Sequence, residues 1–181
     1  MISIMLADIT KFDGDAVVNS ANTSLLAGSG ISGAIHQAAG PELEMACRAL
    51  GKCPVGEARL TQGFALPARY VIHAVGPRWW DGSRSEHQLL GQTYQAIFEL
   101  VRIHALASVA IPAISTRVHR FPIAEAAAIA VDQTRLAASW LPKNTEIKFC
   151  CLDQATADAY LGCGVSAHQE GAHYLSTKDS T

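Results

Sequence analysis

At 181 residues, with 49% hydrophobic and 17% charged residues, the chain has the size and composition of one globular domain that buries a core without disulfides. A formal net charge of -2 supplies no basic field, which argues against sequence-independent binding to duplex nucleic acid and leaves any anion site local. Cys47, Cys53, Cys150, Cys151 and Cys163 form an odd set without a C-x-x-C and read as buried free thiols; no stretch has the length of a membrane span, and no basic region precedes the N-terminal apolar run, so a cytoplasmic location is expected.

Taken in chain order, short apolar and β-branched runs bounded by turn residues predict strands at 2–6 (ISIML), 15–21 (DAVVNSA), 58–63 (ARLTQG), 70–75 (YVIHAV), 108–113 (SVAIPA) and 147–152 (IKFCCL). Helical patterns lie between them. GAIHQAA, opening near Ser32 or Gly33, breaks at Gly40-Pro41 and resumes as PELEMACRAL. SEHQLLGQTYQAIFELVRIHAL places Leu89, Leu90, Tyr94, Ile97, Phe98 and Val101 on one face, and PIAEAAAIAVDQTRLAASWL opens on a proline at a helix start. This alternation, with nearly continuous apolar strands, predicts an α/β sheet covered on both faces. The first two strands are joined by about eight residues, too few for a helical crossover, so an antiparallel pair and a mixed sheet are expected. Residues 1–163 are read as the domain and 164–181 as a loose tail.

Residues 28–33, GSGISG, have the G-x-G-x-x-G spacing of a dinucleotide fingerprint, but its two supporting conditions fail. The glycines stand several residues past the preceding strand instead of at its end, and the segment about twenty residues beyond Gly33 carries no acid to hold a ribose. What survives is a loop whose backbone can approach a ligand closely, running into a helix whose free N–H groups favour an anion. Three further features follow strands and so fall at the sheet edge where α/β folds gather ligands: Asp8-Ile9-Thr10, the string VVNSAN at 17–22, and AISTRVHRFP at 113–122.

Together with the string from Gly40 to Pro77, these motifs resemble the ADP-ribose-binding macrodomains, most closely the bacterial branch that hydrolyses O-acetyl-ADP-ribose and mono-ADP-ribosylated protein; the resemblance covers roughly residues 4 to 161. It implies a three-layer α/β/α sandwich around a mixed, mostly parallel six-stranded sheet. It implies ADP-ribose or a related small molecule as ligand, with ADP-ribosylated protein as a further partner and no cofactor. Asp8 would accept a hydrogen bond from the adenine amino group, with the Ile9 backbone N–H beside the ring. Asn22 would hold the distal ribose, and Asn19 and Asn22 could each also be no more than Asx-turns. Gly28, Gly30, Ile31 and Gly33 would wrap one side of the diphosphate, and Ser115, Thr116, Arg117, Val118 and His119 the other.

Two departures bear on activity. Family hydrolases carry G-V-D-G-A-I-H where this chain has GISGAIH, so Ser32 occupies the place of an aspartate thought to position water, and turnover by that route should be weak. Ser32 itself lacks the G-x-S-x-G setting of a serine nucleophile. The usual S-T-G-[IV]-[YF]-G reads Ser115-Thr116-Arg117-Val118-His119-Arg120 here. Arg117 could grip the diphosphate or lie across the cleft, His119 could contact the distal ribose or face solvent, and Arg120 reads as a surface residue. The histidines show no metal-ligand spacing with the cysteines; His36 and His73 read as packed with one ring nitrogen satisfied. Trp79 and Trp80, in PRWWDG, could flank the cleft or cover a helix.

Overall fold

The computed structural model describes residues 1–167. Its seven strands are β1 (Ile2–Leu6), β2 (Ala16–Ser20), β3 (Ala58–Gln62), β4 (Tyr70–Ala74), β5 (Ser108–Pro112), β6 (Glu146–Cys151) and β7 (Ser166–Ala167). The helices are α1 (Gly30–Ala39), α2 (Pro41–Leu50), α3 (Glu86–Ile103), α4 (Ile123–Ala137) and α5 (Gln154–Gly162), with a single 3-10 turn at Ile9–Lys11. The sheet runs β3-β4-β2-β5-β6-β1-β7, and every pair is parallel except β3–β4.

The mixed sheet is as expected, but its antiparallel pair is not at the start of the chain. β1 and β2 are parallel and separated by β5 and β6, and the link between them crosses with only the 3-10 turn. The antiparallel pair is β3–β4, joined by the short segment 63–69. The sheet also has one more strand than the resemblance implied. Ser166 and Ala167, within the segment read as a tail, pair with Ser3 and Ile4; residues 168–181 lie outside the described residues.

Each face of the sheet is sealed by its own apolar cluster, as strands without hydrophilic alternation require. On one face Tyr94, Ile97 and Phe98 of α3, Ala127 and Val131 of α4 and Tyr160 of α5 pack on Val18, Ile72, Val109 and Phe149. On the other, Ile35 and Ala39 of α1 and Leu43 and Cys47 of α2 pack on Val17, Val71 and Ala110. The kink between α1 and α2 falls at Gly40, whose φ of +88 is open to glycine, with Pro41 at the first turn of α2, where its missing N–H costs nothing. Asp15 pins the start of β2 to the start of β5: its Oδ2 accepts from the Ala107 and Ser108 N–H groups at 2.7 and 3.2 Å, and Ser108 Oγ accepts from the Asp15 N–H at 2.9 Å.

This topology makes a crevice. β3 and β4 lie on one side of β2, while β5, its neighbour on the other side, leads on to β6. The loops leaving the carboxyl ends of β2 and β5 therefore diverge, and the gap between them is the topological switch point where open α/β sheets take ligands.

Candidate functional site

That gap holds a cavity of about 210 Å³ lined by Ser20, Ala21, Asn22, Gly28 to Ser32, Ala113, Ser115 and Arg117 to His119. Both glycine-bearing and serine-bearing loops singled out from the sequence meet here. Gly33, Thr116, Asp8 and Ile9 are not among the lining residues.

The first wall is the loop into α1. The helix opens at Gly30, two to three residues before the sequence pattern suggested, because Gly30 takes a φ of +61 and lets the chain turn directly into the helix. Ser29 at the N-cap offers no side-chain hydrogen bond, so the N–H groups of the first turn have no acceptor within the helix and add their partial positive charge to the cavity edge. Gly33 sits behind this wall: a Cβ there would lie 2.5 Å from the Gly28 carbonyl oxygen, so glycine is what allows the loop to close onto its own helix. Asn22 lines the cavity and also braces the loop. Its Oδ1 accepts from the N–H and hydroxyl of Ser24 at 3.0 and 2.6 Å, and its amide donates to the Leu26 carbonyl at 3.1 Å. The Asx-turn is thus real at Asn22, whereas Asn19 is a buried strand residue and makes none.

The second wall is the β5–α4 loop. Ser115 has a φ of +67 and Arg120 of +59, while Arg117, at the first family glycine, has none of this strain; the left-handed positions are the residue before the Thr116-Arg117 pair and the second replaced glycine. The loop is closed by the Phe121 N–H to the Ser115 carbonyl (2.9 Å) and the Arg120 N–H to the Arg117 carbonyl (3.0 Å). Thr116 is an ordinary loop cap, donating to the Ala113 carbonyl at 2.9 Å. Ser115 Oγ is buried with no hydrogen-bond partner, and Gly76 makes room for it: a Cβ at Gly76 would stand 2.3 Å from that oxygen.

Arg117 takes a course of its own. The residue lines the cavity, and its guanidinium donates to Asp153 Oδ2 at 2.7 Å, tying the loop after β5 to the N-cap of α5, whose Thr156 N–H is held by the other oxygen of Asp153 at 2.8 Å. The Thr156 hydrogen bonds, with Arg117 beside it, hold the Asp153 carboxyl below the usual carboxylate range. His119 faces the cavity half-buried, and burial lowers its pKa, so its ring is neutral near pH 7.

Ser32 stands in the first turn of α1, 5% exposed, its hydroxyl without a hydrogen-bond partner. No carboxylate lines the cavity. Asp8, at the end of β1 on the same sheet edge, caps the 3-10 turn. Its Oδ1 accepts from the Thr10 N–H and hydroxyl at 2.9 and 2.7 Å, and the side-chain bond, with the backbone bond behind it, lowers its pKa.

One turn below Ser32 on the same helix, the fold assembles a buried group that chain spacing could not show. His36, Cys47 and His73 bring ligand-type atoms within 4.8 Å of one another. Both nitrogens of His73 are engaged, not one: Asn19 Nδ2 lies 3.1 Å from Nδ1, and Thr61 Oγ1 and Cys47 Sγ lie 3.0 and 3.6 Å from Nε2. The His36 ring makes no hydrogen bond, also contrary to expectation. Burial pushes His73 down to about 3 and the Cys47 thiol up to about 11, so the cluster is a neutral, inert part of the core at pH 7. Burial likewise raises Cys150 and Cys151, consistent with packed thiols.

The profile of the Macro domain matches residues 18–130. The Macro domain-containing protein mll7730 of Mesorhizobium japonicum is 49% identical over 160 residues, covering 88% of this chain and 91% of that protein. A relative named O-acetyl-ADP-ribose deacetylase 1, from Pantoea vagans, is 42% identical and covers 88% of this chain and 96% of its own length. Among solved structures, a point mutant of the Oceanobacillus iheyensis macrodomain with ADPR superposes with a TM-score of 0.84 at 38% identity, covering 88% of this chain and 89% of that one.

Proposed function

Because the chain belongs to the Macro domain family, we propose that it binds ADP-ribose or a close derivative in the cleft between the β2–α1 and β5–α4 loops, with weak or no turnover by the family's usual route. The observation that carries this reading is the pair of facing walls: helix N–H groups and a glycine turn on one side, a loop bearing Arg117 on the other, a lining that suits a diphosphate. Asn22 stands at the β2 end of the cleft, where the distal ribose would rest. Asp8 lies at the β1 end of the same edge, and its Oδ2, left free by Thr10, is available to an adenine amino group.

The restriction on turnover follows from Ser32. Hydrolysis of an ester at the distal ribose needs a group that takes a proton from water, and a serine hydroxyl with no base against it remains protonated near neutral pH. Loss of a positioned acid–base group lowers rate by roughly 10²- to 10⁴-fold. A second reading, active ester hydrolysis, is favoured by one feature: His119 presents a neutral imidazole to the cavity and could accept that proton.

Calorimetry with ADP-ribose tests the first reading. A defined affinity is expected, weakened by Asp8→Ala, and absence of binding at millimolar ligand removes both readings. Incubation with O-acetyl-ADP-ribose separates them. Slow release of acetate that Ser32→Asp raises at least tenfold supports the missing-acid argument. Fast release by the parent protein that His119→Ala abolishes supports the second reading instead.

A further inference from the structure

Beside the cleft, the loop from Pro77 to Ser85 is built around one carboxylate. Glu86, itself buried, accepts through Oε1 from the N–H groups of Trp80 (3.1 Å), Asp81 (3.4 Å) and Gly82 (3.2 Å), and through Oε2 from Arg84 (2.6 Å). Four amides converging on one side chain fix the loop's path. The two tryptophans then part. Trp79 turns inward onto Phe121, with ring centroids 4.7 Å apart, and His87, at 5.3 Å. Trp80 turns outward and is 57% exposed, an unusual place to leave an indole.

Trp80 is not bare. The guanidinium of Arg84 lies 4.3 Å from its ring centroid and that of Arg78 5.4 Å. A guanidinium stacked on an aromatic keeps its in-plane N–H forks outward, so the indole orders two cationic forks that would otherwise be mobile. The nearby carboxylate of Asp81 is turned back on the Ser83 N–H and hydroxyl, and that of Glu125 onto His87. The platform adjoins the cleft directly: the Trp79 N–H donates to the carbonyl of His119, a cavity-lining residue, at 2.8 Å. It follows β4, the neighbour of β2, and therefore flanks the Asn22 end of the cleft.

We propose that the Arg78–Trp80–Arg84 platform is a binding site for an acidic stretch of polypeptide adjoining the residue that carries ADP-ribose. The inference rests on the reading of the cleft above, since only then does the attached chain emerge at the Asn22 end. Charge complementarity selects the occupant. Two guanidinium forks set across one indole can each take a carboxylate, whereas a nucleic-acid strand needs a longer basic track than a chain of net charge -2 provides.

The test uses the full chain, free ADP-ribose, and peptides bearing one ADP-ribose through a hydrolysis-resistant linkage, flanked either by Asp and Glu or by Asn and Gln. The acidic peptide should bind about tenfold tighter than the neutral one, a margin that shrinks with salt. Trp80→Ala with Arg84→Ala should abolish that margin while leaving the affinity for free ADP-ribose within about twofold. Equal affinity for both peptides in the parent protein, or a margin that survives the double substitution, overturns the platform while the cleft reading stands. Failure of free ADP-ribose to bind overturns the cleft reading instead. An ADP-ribosylated oligonucleotide that outcompetes the acidic peptide, and loses that advantage in the double variant, overturns the choice of polypeptide.

Discussion

Gly33→Ala measures how finely the first wall is set. The added Cβ would stand 2.5 Å from the Gly28 carbonyl oxygen, and real contacts of this kind do not fall below 3.0 Å, so backbone must move by at least the 0.5 Å difference. The helix is held by the buried Ile35 and Ala39, and the movement therefore falls on Gly28 and Ser29, the cavity-lining residues just ahead of it. Binding constellations tolerate displacements of about 0.5 Å, and a 1 Å misplacement can cost about 100-fold, so this shift should weaken ADP-ribose by about tenfold. Overpacking at one site costs about 1–3 kcal/mol of stability, which leaves a domain of this size folded. Calorimetry read beside a urea melt separates the two effects. A variant that keeps the parent affinity within about twofold would show that the loop amides do not set the diphosphate site.

Three further outcomes are expected. Arg120→Gly relieves a left-handed residue at φ +59, worth about 1–2 kcal/mol, against about 0.5–1 kcal/mol of added chain entropy; urea melts should show stabilisation of up to about 1 kcal/mol, and a loss would assign the Arg120 side chain a contact that matters. Asp153→Asn keeps an N-cap for α5 but releases the charge of Arg117 beside the cleft, so ADP-ribose should bind about two- to tenfold tighter at low salt, with the gain fading as salt rises; weaker binding would mean that the ion pair holds the loop in its receptive shape. His73 is held neutral, with its pKa lowered by burial from 6.5 to about 3, so the unfolded chain takes up a proton first as pH falls. The stability this confers is complete above pH 6.5 and drains between 6.5 and about 3, with about 1.4 kcal/mol gone one unit below 6.5. Urea midpoints at pH 7.5 and 5.5 check it, and the slope should flatten in His73→Gln; a flat parent profile would refute burial of a neutral ring.

Much of the fold was legible because its strands are short apolar runs with turn residues at both ends, and the six strands at 2–6 through 147–152 are found within a residue or two. Sheet order was not legible. Strand pairing depends on contacts distant in sequence, and the short link after β1 suggested a local antiparallel pair, whereas the chain passes β6 and β5 through a link whose only helical piece is a 3-10 turn. β7 escaped notice because two exposed residues, Ser166 and Ala167, carry no periodicity, and their strand character comes from β1 alone.

The site divides in the same way. Glycine spacing and the strand-end position of VVNSAN and AISTR marked both walls, since backbone approach and helix amides are written into residue type. What the sequence could not express is where long or polar side chains go once neighbours from other elements arrive. Arg117 is claimed by Asp153, 36 residues away in sequence, and His73 by Asn19, Thr61 and Cys47 from three different elements. Backbone strain is likewise set by the folded loop: its left-handed residues are Ser115 and Arg120, and Arg117, where the resemblance implies a glycine, has no positive φ. Arg117 thus carries no backbone strain, and its exposed guanidinium pairs with an Asp153 that is itself largely exposed. An affinity that rises when Asp153 is neutralised would show that the charge of Arg117, and not the backbone shape of its loop, governs binding on this wall.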